Sequence, residues 1–238
     1  MVDRDLHTHH ISQQFNEELD DLKTHLLEMG GMVEQQVQDA VQSFVERDSG
    51  RAETVKEFDK KINQMEISID EESTRILARR QPAATDLRLV IAITKAVNDL
   101  ERMGDEACKI ASQAIQISES GDLSRGNTEI RHIGQHVLRM VRDALDAFAR
   151  FDIDLALQAA QEDKAVDIEY ASAMRALVTY MMEDPRSIST VLNAIWALRS
   201  LERVGDHARN IAEHVIYLVK GKDVRHIGLK EMAERVHE

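Results

Sequence analysis

Cysteine, proline and aromatic residues are scarce in this chain of 238 residues, and each shortage closes off an option. The single cysteine, Cys108, excludes an intramolecular disulfide framework. It stands among Ala107, Ile110 and Ala111 in a helical stretch, which predicts a buried structural thiol. Two prolines and ten glycines leave long stretches filled with Ala, Leu, Glu, Gln, Arg and Met, all good helix formers, so strands are not expected. An aromatic content of 4% means cores built from Leu, Ile, Val, Ala and Met, as in helical bundles. Basic residues are outnumbered, and a formal charge of −13 repels nucleic-acid phosphates, so direct nucleic-acid binding is not expected. There is no apolar run of about 18 residues to span a bilayer and no apolar signal segment at the start. These absences predict a cytoplasmic protein without a transmembrane segment.

What the chain does contain is a repeat. Leu100-Glu101-Arg102-Met103-Gly104-Asp105 returns 101 residues later as Leu201-Glu202-Arg203-Val204-Gly205-Asp206, identical at five of six positions. Upstream, Phe44, Asp48, Asp59, Lys60 and Ile62 recur at a spacing of 104 as Phe148, Asp152, Asp163, Lys164 and Val166. Pro82 and Pro185 punctuate matching helix boundaries. The Gly, Ser, Asn and Asp content of 118–127 has the turn chemistry of a connector.

Apolar residues keep helical spacing within each copy: Val33, Val37, Ala40, Val41 and Phe44, then Phe58, Ile62, Met65 and Ile69, then Ile93, Ala96, Val97, Leu100 and Met103. Asp48 and Asp152 stand where each can cap the second helix of its copy. The expectation is an all-α chain, a tandem repeat of two three-helix bundles occupying 1–120 and 121–238. Its six long antiparallel helices fall at roughly 15–48, 51–80, 84–118, 126–151, 153–182 and 187–220. His7, His9 and His10 and the tail after Lys220 have weaker periodicity and receive no role.

Glu101 and Asp105 stand four apart, as do Glu202 and Asp206, so each pair projects from one face of its helix, at the flank of the apolar stripe. The second helix of each copy carries a matching element, Asp163 and Asp167 in the second copy and Asp59 with Asn63 in the first. Two readings fit. Facing carboxylates repel unless a cation lies between them, and an oxygen-only set suits Mg, Mn, Fe or Ca. Alternatively, each is a solvated charge paired with Arg102, Arg203 or Lys109. Duplication of the string, with a glycine in mid-helix, favours the cation. Gly104 and Gly205 also fit a close approach by a neighbouring helix, and Asp86, Arg88 and Arg199 fit either ligand orientation or surface charge.

These two tandem units, with the continuation Asp206-His207-Ala208-Arg209-Asn210-Ile211-Ala212-Glu213 and the turn Pro82-Ala-Ala-Thr-Asp-Leu-Arg88, resemble the PhoU family over nearly the whole chain. The resemblance implies divalent or trivalent metal ions, iron or zinc, held on the bundle surface. By position the ligands are Glu101, Asp105, Glu202, Asp206, Asp163, Asp167 and Asp59. Asn63 departs from the family pattern, and a neutral amide is a weaker ligand than a carboxylate, so the first copy is expected to hold metal more weakly. The resemblance further implies a homodimer and a non-catalytic accessory regulator of phosphate uptake. That regulator represses the phosphate-starvation response by linking a phosphate ABC transporter, its ATPase and membrane complex, to a PhoR-like sensor histidine kinase. A metal-free adaptor is one alternative. A ferritin-like di-iron oxidase is another, for which Glu129 with His132 and Glu234 with His237 have the required spacing.

Overall fold

A computed structural model describes residues 13–120 and 126–237. The early histidines, and residues 121–125 where the boundary between the copies was placed, lie outside the described residues. The helices are α1 (Gln13–Glu46), α2 (Ser49–Arg80), α3 (Ala84–Ser120), α4 (Asn127–Arg150), α5 (Ile153–Glu183), α6 (Ile188–Lys220) and a short α7 (Leu229–His237). Six match the expected spans within a few residues. Among the described residues there is no strand.

Local chemistry sets the boundaries in duplicate. The Asp48 carboxylate accepts the backbone N–H of Arg51 at 2.9 Å to start α2, and Asp152 accepts that of Leu155 at 3.0 Å to start α5. The residue before each cap, Arg47 or Phe151, takes a left-handed conformation that closes the preceding helix. Pro82 lies between α2 and α3, while Pro185 opens a single 3-10 turn, Pro185–Ser187, before α6.

A single apolar cluster runs through both copies, with Phe44 and Phe148 the largest fully buried side chains. Of the predicted apolar stripes, only Phe58 and Met65 are half-buried; the rest are buried. The copies meet through α1 against α4 and α3 against α6. Reciprocal glycines allow the first contact. A Cβ on Gly30 would lie 2.6 Å from Leu145, and one on Gly134 would lie 2.9 Å from Val41, the matching pair of positions seen from the other copy.

The tail differs from the sequence-based expectation. Met232 and Val236, one turn apart on α7, are buried, and α7 packs against α5. At nine residues the helix is too short to announce itself by periodicity, and only packing makes it stable. No helix among the described residues is long and apolar enough to cross a membrane.

Candidate metal-binding faces

Helical spacing and packing bring the predicted carboxylates of each copy onto one face. In the second copy, burial first and then the charges of Asp163 and Asp167 push the Asp206 carboxyl above its ordinary range. Glu202 is also raised, by burial and then by Asp206, Asp167 and Asp163. Asp163, Asp167, Glu202 and Asp206 therefore share one field across α5 and α6. Asp163 is buried, Glu202 is half-buried and the other two are exposed.

The first-copy face has the same frame and different neighbours. Burial raises Glu101, assisted by Asp105, Glu66 and Asp59. Glu66 is raised by burial and then by Asp70 and Asp105. Asp59, Glu66, Glu101 and Asp105 thus face one another across α2 and α3. Glu66 was not among the sequence candidates, although it lies two turns beyond Asp59 on the same side of α2. The second copy has Tyr170 at that place.

The counter-charges also depart from expectation. Arg203 and Lys109 both pair with the buried Glu106, at 3.0 Å each, and Arg102 bonds to Asn98, so none of the three forms an ion pair with the duplicated carboxylates, although the nearby charge of Arg102 works against the upward shifts of Glu101 and Glu66. In the second copy that role falls to two other arginines. Arg199 Nη1 lies 2.8 Å from Glu202 Oε1, and Arg209 lies 3.0 Å from both Asp163 Oδ2 and Glu213 Oε1. The first copy has Asn98 and Cys108 at these places.

Asp59 is instead held by amides: Gln36 Nε2 donates to Oδ1 at 3.1 Å and Asn63 Nδ2 donates to Oδ2 at 3.2 Å. Cys108 is half-buried rather than fully buried, because its helix face turns toward this polar strip, where Gln36 Nε2 reaches its Sγ at 3.6 Å. Burial and the Asp59 charge together push its thiol up to about 12, which keeps it protonated and unreactive.

The motif glycines differ as well. A Cβ on Gly104 would lie 3.0 Å from Gln36 Oε1 and 3.2 Å from Asp59 Oδ1, so the glycine admits these side chains. At Gly205 the nearest atoms would be at an ordinary 3.7 Å. Among the described residues, no three or more His, Cys, Asp or Glu side chains close into ready coordination geometry. The donors instead line one flank of each copy.

Two further polar clusters escaped the sequence reading. Between the copies, the buried Asp99 of α3 accepts from His207 Nδ1 at 2.8 Å, Asn210 Nδ2 at 3.0 Å and His214 Nε2 at 3.0 Å, all on α6. Burial alone would raise this carboxyl, but the three hydrogen bonds outweigh it and bring it down to about 2. On α4, His136 stands between Glu169 at 3.1 Å and Glu162 at 3.0 Å. His132 also turns to Glu169, at 3.5 Å, rather than serving a di-iron motif with Glu129. Arg88 donates to the carbonyl of Leu218 near the end of α6, so it serves that helix terminus instead of the carboxylates.

Comparison with known proteins agrees with this duplicated frame. A family model described as the PhoU domain matches twice, over 26–114 and 130–215. The chain is 67% identical over 236 residues to the phosphate-specific transport system accessory protein PhoU homolog of Pseudomonas aeruginosa, covering 99% of this chain and 98% of that one. It is 48% identical over 223 residues to the accessory protein PhoU of Escherichia coli K12, covering 94% and 92%. The crystal structure of PhoU from Pseudomonas aeruginosa superposes with a TM-score of 0.86 at 67% identity, over 88% of this chain and all of that one. The phosphate transport system regulatory protein PhoU from Streptococcus pneumoniae superposes at 0.82 with 31% identity, over 89% and 99%. With its two matched domains, near full-length identity and shared all-helical fold, this chain belongs to the PhoU family.

Proposed function

We propose that this chain is a cytoplasmic accessory regulator of phosphate uptake that holds the phosphate-starvation response off when phosphate is plentiful. It does so by linking a phosphate ABC transporter, its ATPase and membrane complex, to a PhoR-like sensor histidine kinase. The observation that carries the reading is identity along almost the whole chain to proteins named as accessory to phosphate-specific transport. The PhoU family is one of regulatory accessory proteins rather than enzymes, and the scattered Glu-x-x-His elements are consistent with that.

The duplicated carboxylate faces support a second property, binding of metal ions such as iron or zinc. Asp59, Glu101 and Asp105 would hold them in the first copy, and Asp163, Asp167, Glu202 and Asp206 in the second. Oxygen donors at helical spacing give a cation several hard ligands while the net negative charge of the face attracts it. A homodimer fits the exposed apolar row of Ile188, Leu192 and Trp196 on α6, which offers surface for an isologous contact.

The regulatory reading is tested by expressing the chain in a bacterium deleted for its own PhoU and measuring phosphatase expression in high phosphate. Restored repression is expected. Expression that stays derepressed, with the protein present and folded, would rule the reading out.

A further inference from the structure

The two carboxylate faces are not equivalent, and the difference lies in how each is neutralised. Four carboxylates occupy the second face, and the first has Asp59, Glu66, Glu101 and Asp105 with Asp70 beside Glu66. On the second, two of them carry a guanidinium: Arg209 on Asp163 at 3.0 Å and Arg199 on Glu202 at 2.8 Å. On the first, those two places hold Cys108 and Asn98, and the groups bonded to Asp59 are the neutral amides of Gln36 and Asn63. Amide dipoles stabilise a carboxylate without cancelling its charge, and Arg102 acts on Glu101 and Glu66 only through space, without an ion pair, so the first face keeps more unbalanced negative potential than the second.

Two oxygens on the first face point the same way. Gln36 is 1% exposed, and its Oε1 has no hydrogen-bond partner although it lies against Gly104 beside Asp59. Asn63 Oδ1 is likewise buried without a donor. A buried amide oxygen left without a partner is destabilising, and a hard cation is a suitable partner for it. Neither amide oxygen has a counterpart on the second face, where Met140 and Asp167 stand; the buried oxygen without a donor there is Glu202 Oε2, on a carboxyl whose other oxygen already carries Arg199.

We propose that the α2/α3 face of the first copy is the tighter cation site, taking a hard or borderline divalent ion through Asp59, Glu66, Glu101 and Asp105 with the amide oxygens of Gln36 and Asn63. On the α5/α6 face, Arg199 and Arg209 already supply part of the counter-charge. An ion must displace or tolerate them, which weakens its binding. This reverses the order expected from Asn63 alone, and it rests on the metal-binding reading above.

The test uses the chelator-treated full-length protein titrated with Mn2+, read by the free-ion electron paramagnetic resonance signal and by calorimetry. The wild-type chain should show a tighter and a weaker class of site. Glu101→Gln with Asp105→Asn should remove the tighter class, and Glu202→Gln with Asp206→Asn should leave it in place. Arg199→Asn, which installs the first-copy residue at an exposed place, should tighten the weaker class by roughly tenfold, and Cys108→Arg should weaken the tighter class by a similar factor. Because the Arg199 variant reads a gain of binding, misfolding cannot imitate its expected result. Loss of the tighter class in the Glu202 and Asp206 variant alone would overturn the order while leaving metal binding intact. No binding by the wild-type chain would overturn both.

Discussion

The Asp59 face and the Asp163 face hold the same positions in two copies of one unit, yet their surroundings have diverged in charge. Arg209 and Arg199 tie down two acids in the second copy, whereas Cys108 and Asn98 leave the first to amides. The first copy gains Glu66 where the second has Tyr170, which replaces the carboxylate lost at Asn63 one turn earlier. Duplication preserves the backbone frame because it is set by caps, glycines and apolar stripes. It leaves the polar flank free to change, since each flank residue touches only a few neighbours.

The contact between the copies diverges most sharply at Asp99, whose matching place in α6 is Ser200. Replacing Asp99 with Ala strips three donors, the buried His214 and the half-buried His207 and Asn210, of their acceptor and is expected to cost about 3–5 kcal/mol in urea unfolding. Ser200→Ala should cost much less, under roughly 1.5 kcal/mol. Equal losses would remove Asp99 as the pin between the copies.

The same residue sets an acid limit. Its carboxyl lies at about 2 when folded, below the ordinary 3.8, so its contribution is present above pH 3.8 and is lost as pH falls toward 2. Glu66, Glu101, Glu202, Asp163 and Asp206 shift the opposite way, and the folded chain takes up protons on them before the unfolded chain does. In chelator, melting temperature should therefore rise as pH drops from neutral into the mildly acidic range, then fall as Asp99 protonates. A steady decline from neutral pH would contradict these shifts.

At the crossing of α1 and α4, Gly134→Ala drives a methyl to 2.9 Å from the branched Val41 and is expected to cost about 1–3 kcal/mol. Gly30→Ala meets the mobile end of Leu145 and should cost less despite the shorter 2.6 Å approach. Thermal denaturation of the two variants would show whether side-chain stiffness or distance governs the contact.

Smaller effects separate the motif glycines. Gly205→Ala has room and should gain up to ~1 kcal/mol of helix stability, while Gly104→Ala should lose stability because Gln36 and Asp59 must shift. A gain in both would mean that Gly104 is not needed for close approach. Finally, Asp48→Ala and Asp152→Ala remove matching caps and should each cost about 1 kcal/mol, equal in both copies.

Much of this architecture could be read from the chain alone. Local signals carried the helices, both Asp caps and the apolar stripes, because they depend on residues within a few positions of one another. The repeat and the duplicated acidic pairs were legible for the same reason. Glu66 was readable in principle, since it shares a face with Asp59 and stands four before Asp70, but the repeat does not mark it, because the second copy has Tyr170 at that place. The pairing of Arg209 with Asp163 spans 46 residues, and no local rule announces it.

The amino-acid sequence by itself determined the six long helices, their duplication and the acidic flank of each copy, since periodicity, capping and helical spacing are short-range properties. Only the tertiary structure decided what each acidic flank faces. Packing of α1 against α2 and α3 brings Gln36 to Asp59, and packing of α5 against α6 brings Arg209 to Asp163. The charge balance of a face is a sum over neighbours distant in sequence, which is why two nearly identical motifs end in different electrostatic surroundings.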